Sequence, residues 1–235
     1  MNTYTVSPAD EQYFLSKRTL DTDGVHWFHI FRQVYARLLP QVHEKQLREA
    51  YIHAERHLAT HRVIDPKDEF LTMLQKKVAI QLAALDIDSD ELNMNIAVQC
   101  DAIVRSNMRE THRVLDTLSA RYPIALVSNF YGNIHTVLRA YGIEHYFHEV
   151  VESAVAGIRK PNPQIFALAV NALGMKPEEI IVVGDSYDKD IVPAHSIGCH
   201  TVWLRGEAWN PTNEATDTSS ANHTITTLSQ VLDIV

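Results

Sequence analysis

The chain has 235 residues, of which 46% are hydrophobic and 21% charged, and its formal net charge is −8. Such a composition is typical of a soluble globular protein, and no stretch reaches the roughly 20 apolar residues of a membrane-spanning helix. The acidic balance argues against nucleic acid or an anionic membrane as a partner. Cys100 and Cys199 fit neither a disulfide framework nor a zinc-ligand pattern. The segment MNTYTVSPADEQYF has no basic leader followed by an apolar run, so we expect a cytoplasmic protein.

The first half of the chain has a helical pattern. From about residue 22 to residue 120, apolar residues recur at the spacing of one helix face. This spacing predicts four amphipathic helices, which lie in VHWFHIFRQVYARLLP, EKQLREAYIHAERHLATH, PKDEFLTMLQKKVAIQLAAL and DELNMNIAVQCDAIVRSNM. Pro40, Pro66 and the run DIDSD separate these helices, and Ser89 or Asp90 is expected to cap the last one.

The second half alternates between strands and helices. Short β-branched runs in YPIALVSN, HEVVESA, EEIIVVGD and HTVWL are separated by helical segments, which is typical of a parallel sheet. A polar loop over 210–222 then precedes a last helix in TLSQVLDIV. We therefore predict an α/β protein with a Rossmann-like parallel sheet and an inserted four-helix cap. Residues 1–21 and 119–235 would form the core domain, and residues 22–118 the cap domain.

A candidate site lies at the carboxyl ends of the predicted strands, where open parallel sheets bind their ligands. The strand IIVV leads into Gly184, Asp185 and Ser186, and Asp190 follows five residues after Asp185. Two carboxylates on one loop could hold Mg²⁺ directly or through water. The alternative is that Asp185 and Ser186 cap the next helix.

Two further segments place polar groups at the same edge. Ser128 and Asn129 follow the strand IALV, and their side chains could bind an anionic oxygen or cap a helix. Lys160 lies in GIRKPNPQIF, where Pro161 and Pro163 stiffen the chain after it. An ammonium held in such a loop is suited to a phosphoryl or carboxylate group.

Taken together and in this order, the three segments resemble the haloacid dehalogenase superfamily of hydrolases. LVSN is similar to the second motif of that family, GIRKPNPQIF to the third, and VVGDSYDKDIVPAHSIG to the fourth. The predicted helices resemble its helical cap. The resemblance implies a phosphatase-type pocket for a small phosphorylated or anionic molecule, in which Ser128 and Lys160 bind the phosphoryl group. It further implies that Asp185 and Asp190 help to hold Mg²⁺. The resemblance is also compatible with a protein as the binding partner.

The first motif of the family, D-x-D-G-T-L, supplies the nucleophile and the acid, and here the sequence departs from it. Aligning Thr19 and Leu20 on the family's T-L puts Leu15 at the nucleophile position and Lys17 at the acid/base position. Shifting the gap puts Phe14 and Ser16 there instead. A leucine cannot attack phosphorus. This register therefore predicts that the catalytic Asp pair is lost.

A competing register uses the D-x-D-G form of Asp21-Thr22-Asp23-Gly24, which would restore a nucleophile and an acid. Against it, the preceding LSKRTL carries polar residues where a central parallel strand should be apolar. Two functions follow: a weak or inactive phosphatase relative that binds an anion, or an active Mg²⁺-dependent phosphatase that uses Asp21 and Asp23. In the first case Lys17 either replaces the cation between Asp185 and Asp190 or turns to solvent.

Overall fold

A computed structural model describes residues 12–207, residue 209 and residues 217–234. Most of the segment MNTYTVSPADEQYF, on which the expectation of a cytoplasmic protein rests, lies outside these ranges. Residues 210–216 of the predicted polar loop also lie outside them. No helix in the described ranges combines the length and apolar character needed to cross a bilayer.

The core of the described chain is one parallel sheet with the strand order β3-β2-β1-β4-β5-β6. Its strands are β1 (Gln12–Leu15), β2 (Ile124–Ser128), β3 (Phe147–Glu152), β4 (Ile180–Gly184), β5 (His200–Leu204) and β6 (His223–Ile225). Leu15 pairs with Leu126 on one side and Val183 on the other. The ends of β1, β2 and β4 therefore lie next to one another, as the sequence predicts.

Four long helices stand between β1 and β2 and form the inserted cap. They are α2 (Trp27–Leu38), α3 (Glu44–Thr60), α4 (Phe70–Ala83) and α5 (Asp90–Ser119). The predicted α/β fold with a four-helix cap is confirmed. Ser89 caps α5 by accepting a hydrogen bond from the Leu92 N–H at 3.2 Å. The domain boundaries at 21/22 and 118/119 stay a prediction.

The remaining α-helices of the described residues are short. They are α1 (Lys17–Asp21), α6 (Ile134–Ala140), α7 (Ser153–Ala156), α8 (Gln164–Leu173) and α9 (Val192–Ser196). A π-helical turn over Tyr187–Ile191 precedes α9. Two details differ from the sequence prediction. The strand β6 was not predicted, because only Ile225 of its three residues is buried, and the predicted last helix is a 3-10 helix over Leu228–Asp233.

Side chains of β1 alternate between the two faces of the sheet. Tyr13 and Leu15 belong to a large apolar cluster that includes residues of the cap helices, whereas Phe14 packs with α8 on the opposite face. All three are at most 1% exposed. Burying a side chain of this size stabilises the fold by roughly 1.5–3 kcal/mol. The first strand is therefore fixed in register by its packing, and this register decides which residue follows it at the edge of the sheet.

Candidate active-site cleft

A cleft of about 530 Å³ opens between the carboxyl ends of the central strands and the cap. The core contributes Ser16, Ser128, Lys160 and Asp190 to its lining, and the aromatic residues that face them from α2 and α4 are Trp27 and Phe70. The residues predicted from the second, third and fourth segments thus meet at one edge of the sheet.

Ser128 and Asn129 have different surroundings, although they are neighbours at the end of β2. Both residues line the cleft, and Ser128 is the more deeply buried of the two. The Asn129 side chain forms two hydrogen bonds with the backbone of Lys160. Its Oδ1 accepts from the Lys160 N–H at 2.8 Å, and its Nδ2 donates to the Lys160 carbonyl at 3.0 Å. The Asn129 amide thus holds the backbone of Lys160 in place, and its role as an anion ligand stays a prediction.

Lys160 is the central cation of the cleft. Its side chain is 6% exposed, and its Nζ donates to the Val127 carbonyl at 3.2 Å, to Ser16 Oγ at 3.3 Å and to Asp190 Oδ1 at 2.5 Å. Backbone and ammonium are thus both fixed by hydrogen bonds. A cation with so little freedom loses little entropy when it binds an anion.

Asp190 reaches Lys160 from the π-helical turn after β4. Its Oδ2 accepts a hydrogen bond from the Ser186 N–H at 3.0 Å. Gly184 makes this approach feasible, because a β-carbon at that position would overlap the Asp190 side chain. Only glycine at position 184 leaves room for the Asp190 side chain. The counter-ion of Asp190 is Lys160.

Asp185 pairs with a residue that the sequence did not single out. Arg18, in α1, forms an ion pair with its carboxylate, and Ser16 Oγ donates to Asp185 Oδ1 at 3.3 Å. Burial raises the pKa of Asp185, an effect that the Arg18 guanidinium opposes. The available signal was the basic pair Lys17-Arg18 beside the end of a strand.

The residues assigned to the first motif lie apart from this centre, with one exception. Leu15 packs inside the apolar cluster, and the hydroxyl that faces Lys160 and Asp185 belongs to Ser16. The Lys17 ammonium pairs with Asp21 and lies 4.4 Å from the centre of the Phe70 ring. Lys17 is only 7% exposed. Neither predicted position of Lys17, between the two aspartates or in solvent, is therefore correct.

The competing pair is also separated by the fold. The competing register requires a strand over LSKRTL, and this strand does not form, because β1 ends at Leu15 and α1 begins at Lys17. Asp21 lines the cleft from the last turn of α1, and its Oδ1 is buried without a hydrogen-bond partner among the described residues. Asp23 instead accepts the Leu228 N–H at 2.7 Å, and burial raises its pKa. The two carboxylates are therefore directed at different parts of the molecule.

A partly buried polar network, which the sequence analysis did not predict, connects the cap to the core. Glu55 in α3 forms an ion pair with Lys77 in α4 and accepts a hydrogen bond from Tyr131 Oη at 3.0 Å. Burial alone would raise the pKa of Glu55, but the charge and hydrogen bond of Lys77, together with hydrogen bonds from Tyr51 and Tyr131, outweigh burial, so the pKa is lowered. Burial alone would lower the pKa of Lys77, but Glu55, together with the nearby Tyr131 and Tyr51, outweighs burial, so the pKa is raised. Tyr131 follows β2, so this network joins both walls of the cleft.

Three more cations line the cleft, namely Arg62, Arg159 and Lys189. None of them has a carboxylate within salt-bridge distance in the described ranges. Burial lowers the pKa of Lys189, and the nearby Arg18 guanidinium lowers it further. The cleft is consequently rich in positive charge although the chain is acidic. No group of three or more His, Cys, Asp or Glu residues suited to a metal ion occurs within the described part.

The fold and the cleft correspond to a known family. A sequence model of haloacid dehalogenase-like hydrolases matches residues 19–198. The chain therefore belongs to the haloacid dehalogenase-like hydrolase family, and the predicted membership is confirmed.

Comparison with individual proteins gives shorter matches. The chain is similar to glyceraldehyde 3-phosphate phosphatase of Methanopyrus kandleri, with 43% identity over 94 residues, which cover 40% of each protein. It is similar to phosphoglycolate phosphatase of Haemophilus influenzae, with 35% identity over 100 residues, 42% of this chain and 43% of that protein. The matches thus span less than half the length of these relatives. A crystal structure of a dehalogenase with an intermediate complex superposes with a TM-score of 0.66 at 15% identity, covering 98% and 99% of the two chains. At this identity the likeness concerns the fold.

Proposed function

We propose that this protein binds a small phosphorylated molecule in the cleft and that it is weak or inactive as a phosphatase. The positive lining of the cleft supports an anionic ligand, and Ser128 and Lys160 are both buried residues of that lining. The names of the phosphatase relatives, which refer to small phosphate esters, support the same class of ligand.

The observation that carries the second half of the proposal is the residue after β1. At this edge Ser16 offers a hydroxyl to Lys160 and Asp185, where a phosphatase of this type needs a carboxylate nucleophile. Leu15 is buried in the apolar cluster and has no group that could attack phosphorus. We infer that the chain keeps the anion pocket and lacks the aspartate pair of the first motif.

The donor set at this edge does not fit Mg²⁺. Asp185 and Asp190 each pair with a side-chain cation, Arg18 and Lys160 respectively, and Ser16 adds only a neutral hydroxyl. A magnesium ion requires nearly octahedral coordination by oxygen atoms, and proteins usually bind it through one or two carboxylates. Carboxylates that are paired with side-chain cations are poorly suited to this role. The two carboxylates are therefore assigned to Arg18 and Lys160 rather than to a metal ion.

The second candidate, an active Mg²⁺-dependent phosphatase that uses Asp21 and Asp23, has one observation in its favour. Asp21 lines the cleft, and one of its carboxylate oxygens has no hydrogen-bond partner in the described part. Against it, Asp23 is directed at the backbone of Leu228. An acid and a nucleophile must reach the same substrate, which this separation does not support.

Two measurements on the full chain test the proposal. Calorimetric titration with phosphoglycolate and glyceraldehyde 3-phosphate should give saturable binding that Lys160→Met abolishes. Hydrolysis of p-nitrophenyl phosphate with Mg²⁺ should stay at or little above the level of the buffer blank. If the unaltered chain hydrolyses the ester and each of the variants Asp21→Asn and Asp23→Asn loses this activity, the protein is the active enzyme instead. Binding that is equal in the unaltered chain and in Lys160→Met would reject the anion pocket.

A further inference from the structure

We propose that the Arg18 guanidinium takes the place of a bound metal cation in this cleft, so that anion binding there requires no Mg²⁺. The inference rests on the proposed function, because it concerns the same anion site. Its starting point is the ion pair between Arg18 Nη2 and Asp185 Oδ2. Arg18 lies in the first turn of α1, which begins immediately after Ser16, so the helix presents the guanidinium to the loop that follows β4.

The charges at this edge are already balanced by side chains. The side chains of Asp185 and Asp190 are 2% and 3% exposed, and each has one internal cation within salt-bridge distance. A buried carboxylate needs such a partner, since removing its charge from water is costly. Arg18 and Lys160 supply the two positive charges. A divalent ion would have to displace one of them, and the displaced guanidinium or ammonium would lose its carboxylate.

Arg18 is also placed to reach a ligand. Its side chain is 26% exposed and lines the cleft, in contrast to the nearly inaccessible carboxylate beneath it. A guanidinium carries five N–H donors in a planar fork, and the ion pair with Asp185 engages one end of it. The remaining donors can bind two oxygens of a phosphate group. Arg18 would thus connect Asp185 to the ligand, and this electrostatic connection is what a bridging cation provides.

Lysine could not replace this residue fully, because an ammonium is a point charge without the planar fork. Arg18→Lys should therefore keep the fold and the pairing with Asp185 but bind phosphate more weakly than the unaltered chain. Arg18→Ala removes both functions and leaves a free carboxylate. The exposed Arg37 on α2, which lines no part of the cleft, offers a matched control.

The first experiment measures phosphate binding by calorimetry in excess EDTA and in excess Mg²⁺. We expect the same affinity in both conditions for the unaltered chain and for Arg37→Ala. Arg18→Ala should bind about 10- to 100-fold more weakly in EDTA, the value of a lost hydrogen bond to a charged group. Phosphate binding that requires Mg²⁺ in the unaltered chain, or that is unchanged in Arg18→Ala, would overturn the inference.

The second experiment uses the metal alone and does not depend on phosphate binding, so it separates this inference from the proposed function. Titration with Mn²⁺, followed by the electron paramagnetic resonance signal of the free ion, should show no stoichiometric site in the unaltered chain. One site should arise in Arg18→Ala and disappear again in Arg18→Ala/Asp185→Asn. A stoichiometric Mn²⁺ site in the unaltered chain that Asp185→Asn removes would refute the inference, even if Arg18→Ala failed to fold.

Discussion

Gly184 and Asp190 are in direct van der Waals contact, and a β-carbon on the glycine would overlap both the Cβ and the carboxylate of Asp190. The glycine ends β4, and the aspartate belongs to the turn that follows it. This contact sets the position of the Asp190 carboxylate and hence of the Lys160 ammonium that pairs with it. The anion pocket therefore depends on a residue that carries no functional group.

We predict that Gly184→Ala weakens both stability and phosphate binding. The added methyl group has no space, so the variant should lose about 1–3 kcal/mol of unfolding free energy in urea titrations. Phosphate affinity should fall with it, because Asp190 must move and Lys160 is held by Asp190. Gly174→Ala is the control: its φ of +68° makes alanine costly, but its surroundings are open and it is not a residue of the cleft lining. Unchanged phosphate affinity in Gly184→Ala would contradict this account.

Two variants that lack the Lys160 ammonium should separate its effect on the free energy of unfolding from its effect on phosphate binding. Lys160→Met leaves Asp190 buried without its counter-ion, which should cost about 3–5 kcal/mol in chemical denaturation. Adding Asp190→Asn removes the unpaired charge, so most of this stability should return, whereas phosphate binding should stay absent. If the double variant bound phosphate as the unaltered chain does, Lys160 would have no role in the pocket.

His26 should make the protein less stable in mild acid. It caps α2 by accepting a hydrogen bond from the Phe28 N–H at 3.2 Å, and burial, helped by nearby cations such as Arg18, lowers its pKa to about 2. The unfolded chain binds a proton near pH 6.5 and the folded chain does not. Stability from this residue is therefore complete above pH 6.5 and decreases on acidification, by about 1.4 kcal/mol per pH unit.

The substitution His26→Asn tests this expectation, because asparagine is a good N-cap that does not titrate. Plots of unfolding free energy against pH should fall less steeply for this variant than for the unaltered chain between about pH 6.5 and pH 5. A constant offset from lost packing does not alter the slope. The exposed His53 gives the matched control His53→Asn. Parallel curves for His26→Asn and the unaltered chain would show that the residue does not stay neutral in the folded state.

The sequence predicted those parts of the molecule that depend on local periodicity. The helix spacing located α2 to α5, and the parallel topology implied that Ser128, Lys160 and Asp190 would meet, because the ends of adjacent parallel strands share one edge. Motif similarity could not predict which side chain would neutralise Asp185. That depends on the helical turn after β1, which turns Arg18 rather than Lys17 toward the loop after β4.

The network around Glu55 was unpredictable for a related reason. Glu55 and Lys77 lie on different helices, 22 residues apart, so their contact follows from how α3 and α4 pack. The pattern of apolar residues indicates which face of each helix is buried, but it does not indicate which polar residues at the margin of that face will meet. The use of Asn129 on the Lys160 backbone is likewise a property of two loops that come together only in the fold.

Glu55→Gln should destabilise the protein most strongly at neutral pH. It leaves the buried Lys77 without its ion pair, and we expect a loss of about 1–3 kcal/mol, less than for a fully buried pair because the Glu55 side chain is 36% exposed. The folded pKa of Glu55 is lowered, so its contribution is complete above the unfolded value of 4.5 and is lost as the pH falls through the folded pKa. Lys77 behaves in the opposite sense, since its raised pKa keeps its contribution complete below 10.5 and removes it at higher pH. The stability difference between the unaltered chain and Glu55→Gln, measured by urea unfolding, should therefore be flat between pH 4.5 and pH 10.5 and shrink on acidification below pH 4.5.

The control is Glu110→Gln, in an exposed pair with Arg113, which should show little difference in stability at any pH. A difference for Glu55→Gln that persisted unchanged in acid would mean that the carboxylate charge does not stabilise this contact between α3 and α4.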